Sequence, residues 1–213
     1  RVLAAVVGEL ASRPRAQSRR RPKVGQMNPY AEFLKREECL LLLVDLQPVM
    51  LDPCPDIQKI CSNAEALVEI SQLLDIPILA SVHNAEKLGG LAPALEARIE
   101  GPKIFNKLEF SCFENESLAR AIGQAGRSTL LLAGLESHVC IFHTGAHALR
   151  LGYRVHVAAD AVGSRSLGNR ETGLRRLEKA GAVISSTEMV IYELLGRAGS
   201  EEFGAALPLL KKL

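Results

Sequence analysis

The chain has 213 residues, of which 47% are hydrophobic and 23% are charged, a balance that allows one folded domain with a full hydrophobic core. Its 26 basic and 24 acidic residues give a net charge of +2. This balance argues against nucleic acid and anionic lipid as partners and favours a small-molecule ligand. No apolar run approaches the ~20 residues of a membrane-spanning helix, so we expect no membrane partner.

The first 26 residues differ in composition from the rest of the chain. Six arginines and Lys23 stand there against a single acid, Glu9. We expect a disordered or peripheral basic tail over residues 1–26, with an organelle-targeting segment as an open alternative. Residues 27–213 are then expected to form a single domain.

Five cysteines are present, and their spacing shows neither a CxxC pair nor a zinc-binding pattern. The odd number also argues against a closed set of disulfides. We therefore expect a reduced, intracellular protein, and the cytoplasm is the simplest location.

From residue 38 onward, short apolar runs alternate with amphipathic stretches, which is typical of strand–helix repeats that build a parallel sheet. The apolar runs predict strands at 39–45, 77–83, 103–107, 128–134, 153–160 and 182–185. Helices are predicted at 56–75, 91–99, 118–125, 138–151 and 169–180. Another helix is predicted to begin within 185–188, and a last one runs from about 200 to the end. This order predicts a three-layer α/β/α sandwich on a six-stranded parallel sheet with a Rossmann-like arrangement.

Polar side chains that follow strands in such sheets are the first candidates for a site, because ligands bind beyond the carboxyl ends of the strands. Asp45, Lys107 and Cys140 follow the first, third and fourth predicted strands. Each alone has a common structural interpretation: a loop aspartate, a surface lysine and a small buried thiol.

The position of Cys140 favours a chemical interpretation of the three residues together. With Ser137 as the predicted N-cap of its helix, Cys140 lies in the first turn, where the helix dipole favours an anion. A helix N-terminus and a neighbouring cation lower the pKa of a thiol, and Lys107 is a candidate for that cation. Asp45 is then a candidate base that takes the thiol proton.

Four segments resemble the isochorismatase-like cysteine hydrolases, a family that includes nicotinamidases and N-carbamoylsarcosine amidohydrolases. They are LLLVDLQ (41–47), KIFNKLEFSCF (103–113), LLLAGLESHVC (130–140) and GYRVHVAADAVGSRS (152–166). The resemblance implies a catalytic triad of Asp45, Lys107 and Cys140. It also implies a cis peptide at Leu135–Glu136 and an oxyanion hole formed by the N–H groups of Glu136 and Cys140.

The activity implied by the resemblance is hydrolysis of a small amide or related acyl compound through a Cys140 thioester. Asp45 would act as the base and Lys107 as the orienting charge. Nicotinamidases carry a metal-binding set after the second strand, whereas this chain has His83 as its only histidine there, so we expect no metal and no cofactor. Homo-oligomers are usual in the family, and the apolar last helix is a candidate for packing on a neighbouring copy.

Several residues near the three candidates have a functional and a structural interpretation. Gln47, Phe110 and Phe113 are candidate substrate-binding residues, although a loop-stabilising amide and core-packing rings are the alternatives. Cys112 follows Lys107 closely enough to suggest reversible oxidation with Cys140. A thiol redox protein and a non-catalytic small-molecule-binding or scaffold protein therefore remain alternatives to the hydrolase.

Polar residues beyond these candidates are expected to have structural roles. His138, His143 and His147 surround Cys140 in the sequence, but no third zinc ligand with suitable spacing is evident, so we expect solvated or hydrogen-bonded histidines. Asp160, at the end of the fifth predicted strand, is expected to stabilise a turn.

Overall fold

The computed structural model describes residues 31–99 and 103–213, so the predicted basic tail at 1–26 lies outside the described residues. The strands are β1 (Cys39–Val44), β2 (Ile78–His83), β3 (Ile104–Lys107), β4 (Thr129–Gly134), β5 (Arg154–Val162) and β6 (Val183–Ser185). The helices are α1 (Pro48–Leu51), α2 (Ile57–Leu73), α3 (Ala85–Leu88), α4 (Pro93–Glu96), α5 (Glu116–Gln124), α6 (Cys140–Arg150), α7 (Leu167–Ala180), α8 (Thr187–Leu195) and α9 (Glu201–Leu210).

The six strands form one sheet in the order β3-β2-β1-β4-β5-β6, and every neighbouring pair is parallel. The predicted α/β fold with a six-stranded parallel sheet is confirmed. The chain order reverses between β1 and β4, which lie side by side with Val44 opposite Gly134. The carboxyl ends of these two central strands therefore define the crevice where ligands bind in open α/β sheets.

Alternating residues of the central strands fill two hydrophobic cores, one on each face of the sheet. On β1, Leu41 and Leu43 pack in one core together with residues of α2, α8 and α9. Leu40 and Leu42 pack in the other core with residues of α5, α6 and α7. A sheet buried on both faces explains why its strands are continuous apolar runs in the sequence.

The helix starts differ from the sequence expectation at two sites. Ser137 does not cap α6: the N-cap position is Val139, and the Ser137 hydroxyl instead donates to the carbonyl of Gly163. Helix α7 begins two residues before the predicted start at residue 169, because the Ser166 hydroxyl accepts the backbone N–H of Asn169. The prediction of Ser137 as a cap is wrong because its hydroxyl bonds to the Gly163 carbonyl instead of to an N–H of the first helical turn.

The last helix packs on its own chain, although the sequence suggested a neighbouring copy as its partner. Ala206 and Leu209 of α9 are buried in the core that also contains residues of α2 and α8. The helix therefore has a packing partner within its own chain, and the predicted homo-oligomer stays a prediction. Among the helices that the structure describes, none combines the length and the apolar character needed to cross a bilayer.

Candidate active site

Asp45 follows β1 directly and is completely buried. Its backbone adopts a left-handed conformation, with φ of 53°, which is uncommon for a residue with a side chain and is found most often at functional sites. The carboxylate has two partners: Oδ1 accepts the hydroxyl of Ser81 at 2.7 Å, and Oδ2 accepts the ammonium of Lys107 at 2.6 Å. The carboxylate is therefore held at the end of the sheet by side chains of the adjacent strand β2 and of β3, the next strand beyond it.

Lys107 ends β3 and is only 1% exposed, which is rare for a lysine without an ionic partner. Its ammonium donates to Asp45 and, at 3.1 Å, to the backbone carbonyl of Glu109. Burial lowers the pKa of Lys107, but the Asp45 carboxylate and the nearby thiols of Cys140 and Cys112 outweigh this effect and leave the pKa raised. The pair is thus a buried ion pair with a charged ammonium.

Cys140 is the first residue of α6, and its side chain is almost fully buried. Its sulfur lies within 4.8 Å of a carboxylate oxygen of Asp45 and a ring nitrogen of His83. The three residues that follow separate strands, Asp45, Lys107 and Cys140, are therefore in one place at the carboxyl edge of the sheet.

The pKa of the Cys140 thiol is raised rather than lowered. Burial is the largest cause, the Asp45 carboxylate adds to it, and the Lys107 ammonium opposes both. The expectation of a lowered thiol pKa is wrong, because the desolvation of the sulfur and the adjacent carboxylate outweigh the ammonium. The direction of this shift favours the protonated thiol of Cys140 beside the Asp45 carboxylate.

The loop between β4 and α6 contains the predicted cis peptide at Leu135–Glu136, which is confirmed. Among the hydrogen bonds of the described residues, the backbone N–H groups of Glu136 and Cys140 donate to no protein acceptor. The N–H of Ile141, in contrast, donates to the carbonyl of Glu136 at 3.2 Å. Two backbone donors near the sulfur are thus available to an oxygen atom of a ligand.

The same loop is fixed from the side by Ser137 and α7. The N–H and hydroxyl of Ser137 both donate to the carbonyl of Gly163, at 2.8 and 2.9 Å. On its other side, a Cβ atom on Gly173 of α7 would lie 2.5 Å from the carbonyl oxygen of Ser137. Close packing of α7 therefore determines where the loop, and with it Cys140, is placed.

His83 also belongs to this cluster. From the sequence, we expected only that a single histidine at this position would not bind a metal. It ends β2 opposite Lys107 of β3, and its Nδ1 is buried without a hydrogen-bond partner among the described residues. Burial lowers the pKa of His83, and the Lys107 ammonium lowers it further. Its position at a strand end was a signal in the sequence, since the same criterion selected Asp45 and Lys107.

Asp45, His83 and Cys140 are the one group of three potential donors in the described ranges whose ligand atoms are close enough to hold a metal ion. The Lys107 ammonium, however, lies 2.6 Å from the Asp45 carboxylate and repels a second cation there. We therefore assign no metal to these residues.

Gln47 uses its side chain to hold the loop that follows β2. Its Nε2 donates to the carbonyls of His83 and Gly89, at 3.1 and 2.7 Å, and its Oε1 accepts the N–H of His83 at 2.7 Å. The alternative of a loop-stabilising amide accounts for these contacts. A substrate contact by Gln47 stays a prediction.

The two phenylalanines of the FSCF segment have different surroundings. Phe110 is 50% exposed and stacks on His83, with ring centres 5.8 Å apart and an angle of 11° between the rings. Phe113 instead packs against His147 and Tyr153 beside the second core. Phe110 thus lies where a ligand would enter the cluster, while Phe113 has the surroundings of a core residue, so its substrate contact stays a prediction.

Cys112 and the remaining polar candidates have partners within the fold. The Cys112 thiol is fully buried 3.9 Å from the Ser81 hydroxyl, and burial raises its pKa to about 11. The three histidines on either side of Cys140 in the sequence have hydrogen-bond or ring contacts and form no metal site among the described residues: His138, His143 and His147. Asp160 accepts the N–H and hydroxyl of Thr187 at 2.8 Å and so holds the start of α8.

The sequence matches the family model described as the isochorismatase domain over residues 39–189, which contain every residue of the cluster. The chain belongs to the isochorismatase family. The resemblance stated from the four sequence segments is therefore confirmed, and membership of this family supports a hydrolase-like function.

Known proteins similar to this chain include one curated relative and two solved structures. Isochorismatase domain-containing protein 2B of Mus musculus is 32% identical over 177 residues, which are 83% of this chain and 82% of the relative. A structure described as MAR1 ribonuclease of Caenorhabditis elegans has a TM-score of 0.79 and 26% identity, covering 84% of this chain and 93% of its own. YcaC of Pseudomonas aeruginosa, solved with hexane-2,5-diol and covalent acrylamide, has a TM-score of 0.78 and 26% identity, covering 85% and 95%.

Proposed function

We propose that this protein is a metal-independent cysteine hydrolase that cleaves a small amide or related acyl compound. The observation that carries the proposal is the meeting of Asp45, Lys107 and Cys140, with a 2.6 Å ion pair and a thiol within 4.8 Å of the same carboxylate. A nucleophile beside a base that is itself oriented by a third group is the arrangement that nucleophilic catalysis requires.

In the acylation step, the Asp45 carboxylate takes the proton of the Cys140 thiol as the sulfur attacks the carbonyl carbon of the substrate. The carbonyl oxygen becomes an oxyanion, which the N–H groups of Glu136 and Cys140 bind. The proton then passes from Asp45 to the leaving group, whose bond to the carbonyl carbon breaks, and an acyl thioester remains. Removal of one oxyanion donor typically costs about 10²–10³-fold in rate, so the loop before α6 matters nearly as much as the nucleophile.

The ion pair with Lys107 orients the Asp45 carboxylate before the thiol is deprotonated. The other carboxylate oxygen accepts a hydrogen bond of 2.7 Å from the Ser81 hydroxyl. A general base must be within reach of the proton that it takes, and a carboxylate oxygen of Asp45 lies within 4.8 Å of the Cys140 sulfur.

The covalent acrylamide in the Pseudomonas YcaC structure supports the proposal by analogy, because acrylamide is an electrophile that reacts with nucleophilic groups. The name of the Caenorhabditis neighbour points instead to RNA cleavage. The net charge of +2 gives little electrostatic attraction for a polyanion, so an acyl substrate is favoured.

The experiment is a turnover screen of small amides, ureas and esters with the wild type, Cys140→Ser and Asp45→Asn. We expect hydrolysis of at least one acyl compound by the wild type and a loss of about 10³-fold or more in each variant, because the nucleophile or its base is removed. Chelators should leave the wild-type rate unchanged. Circular dichroism and thermal unfolding check that both variants remain folded.

The other outcomes of the screen identify the alternatives. Full activity in either variant contradicts the triad. Tight binding without turnover would indicate a non-catalytic binding or scaffold protein, and a Cys112–Cys140 disulfide formed under mild oxidation would indicate a thiol redox protein. Cleavage of a single-stranded RNA probe would favour the chemistry named for the Caenorhabditis neighbour. Homo-oligomer formation and a cytoplasmic location remain further proposals, to be tested by light scattering and by fractionation.

A further inference from the structure

His83 contributes an imidazole to the cluster that the acylation step does not use. One of its ring nitrogens lies within 4.8 Å of both the Cys140 sulfur and an Asp45 carboxylate oxygen. The Nδ1 atom is buried and has no hydrogen-bond partner among the described residues. Buried polar atoms are nearly always paired in folded proteins, so an unpaired one beside a nucleophile indicates a contact made with substrate or water.

The backbone of His83 is held by two neighbours, and its ring has one aromatic contact. Its backbone N–H donates to Gln47, its ring stacks on Phe110, and its strand pairs with β3 opposite Lys107. A neutral imidazole has one unprotonated nitrogen that accepts a proton, and the neighbouring ammonium favours that neutral form. The ring is therefore held in place and in the protonation state that a base needs.

We propose that His83 is a catalytic residue that activates the hydrolytic water in the second half of the reaction, when the Cys140 thioester is cleaved. This inference rests on the proposed function. A ring nitrogen of His83 lies within 4.8 Å of the Cys140 sulfur, and the described residues give its Nδ1 no partner. The two proton transfers of the cycle are thereby divided between a carboxylate and an imidazole.

In the proposed deacylation step, a water molecule attacks the thioester carbon and its oxygen forms the new C–O bond. One proton of this water moves to the free ring nitrogen of His83. The tetrahedral oxyanion collapses, the C–S bond breaks, and the electron pair of that bond stays on the sulfur of Cys140. His83 then returns its proton to the sulfur, which restores the thiol and releases a carboxylic acid.

The test uses p-nitrophenyl acetate as the acyl donor and compares the wild type with His83→Gln. Acylation releases nitrophenolate in a burst, and deacylation limits the steady state that follows. We expect His83→Gln to keep a burst of about one equivalent and to lose about 100-fold in the steady-state rate, which is within the usual range for general base catalysis. Acetylated protein should then accumulate and be visible by intact-mass spectrometry.

The matched control is His143→Gln, since His143 also contacts the Phe110 ring but is exposed and has no place in the mechanism. We expect this variant to behave as the wild type in both phases. A steady-state rate of His83→Gln equal to that of the wild type overturns the role of His83 alone. A wild type that shows neither burst nor adduct overturns the proposed function itself, so the two failures are distinguishable.

A pH profile of deacylation in the wild type provides a test that does not depend on how a variant folds. The charged groups that face His83 are Lys107, which lowers its pKa, and Asp45 and Glu109, which raise it; Cys140 is uncharged as a thioester. Because only the neutral ring accepts a proton, the rate should rise with pH through a pKa below the ordinary 6.5 and then level off. The rise should be absent in His83→Gln, and a flat wild-type profile overturns the proposal.

Discussion

The Asp45–Lys107 pair is a buried ion pair whose two side chains are fully enclosed. Removing two charges from water costs several kcal/mol per ion, and a pair at this depth is retained only when its geometry repays part of that cost. The Ser81 hydroxyl gives the carboxylate a second hydrogen bond, and the Glu109 carbonyl gives the ammonium a second acceptor. The pair is therefore a source of correct orientation in the site rather than of stability.

Lys107→Met should destabilise the protein by about 3–5 kcal/mol, because the Asp45 carboxylate is then buried without its counter-charge. The double variant Asp45→Asn/Lys107→Met should recover most of this loss, since it removes both charges. Urea unfolding monitored by circular dichroism measures the two changes. Lys103→Met is the control, because Lys103 is exposed just before β3 and should change stability by less than about 0.5 kcal/mol. Equal stability of Lys107→Met and Lys103→Met would contradict the cost assigned to the unpaired carboxylate.

The sequence was sufficient to predict the meeting of Asp45, Lys107 and Cys140, because all three follow strands of one parallel sheet. It did not predict the contact of Ser81 with Asp45, since that contact depends on how far β2 extends beside β1. The raised pKa of Cys140 was missed for a related reason. A helix position shows which dipole acts on a thiol, but only the folded structure shows how completely water is excluded.

Secondary-structure elements act on the site through the loop that joins β4 to α6. Gly134 ends β4 with φ of 129°, and a Cβ there would lie 1.9 Å from the carbonyl oxygen of Val44. Gly173 of α7 approaches the same loop from outside, against the Ser137 carbonyl. The two glycines let a strand and a helix approach the backbone on either side of the N–H groups of Glu136 and Cys140, which are the proposed oxyanion donors.

Gly173→Ala should displace the Ser137 carbonyl and with it the N–H groups of Glu136 and Cys140. We expect a loss of about 10-fold or more in the rate of acylation, together with lower stability, because the clash is with backbone atoms. The matched control is Gly123→Ala, at a helical glycine of α5 where a Cβ would meet no atom within 4 Å. That variant should be stabilised by up to about 1 kcal/mol with unchanged acylation. An acylation rate of Gly173→Ala equal to that of the wild type would show that α7 does not determine the loop position.

The helices and strands themselves were largely predictable, while their ends were not. The strand predicted over 153–160 extends to Val162, and the helix predicted over 91–99 is reduced to Pro93–Glu96. The short helix that begins at Pro48 was not predicted, although proline suits the first position of a helix. Apolar periodicity reports which residues are buried, whereas local contacts at each end decide where a strand or helix stops.

Across the whole molecule, the five cysteines are free thiols, and four of them are buried. Burial raises the pKa of Cys39 to about 12 and that of Cys112 to about 11. A thiol whose pKa is raised in the folded state stays protonated while the unfolded chain ionises. The contribution of the buried thiol to the free energy of unfolding is therefore fully present below about pH 8.5, the pKa of a thiol in the unfolded chain. This contribution is lost as the pH rises above that value.

The free energy of unfolding should consequently fall between pH 7 and pH 10. Cys39→Ala should reduce this fall by about 1–2 kcal/mol, because the unfolded variant no longer gains stability by ionising that thiol. Urea unfolding at the two pH values measures the difference, in which the titration of lysines and tyrosines cancels. Cys61→Ala, at a thiol that is only partly buried, should reduce the fall by less. An identical pH dependence in the wild type and Cys39→Ala would contradict this explanation.

The order of the six strands is the feature of the whole molecule that the periodic pattern alone does not determine. The pattern predicted six strands in a parallel sheet, and the Rossmann-like arrangement came from the family of folds that such a pattern suggests. The order places β1 between β2 and β4, and this adjacency brings His83 to Asp45 and Cys140. The proposed role of His83 therefore depends on the strand order, which the sequence pattern did not predict.

The central claim is that the buried sulfur of Cys140 forms a covalent acyl bond, and peptide mapping after a rapid acid quench tests it most directly. Wild-type protein is mixed with p-nitrophenyl acetate, quenched during the burst and digested. We predict one acetyl group on the peptide that contains Cys140 and none on that peptide in Cys140→Ser or Asp45→Asn. Acetylation confined to other side chains, or an unmodified Cys140 while nitrophenolate is released, would contradict the account.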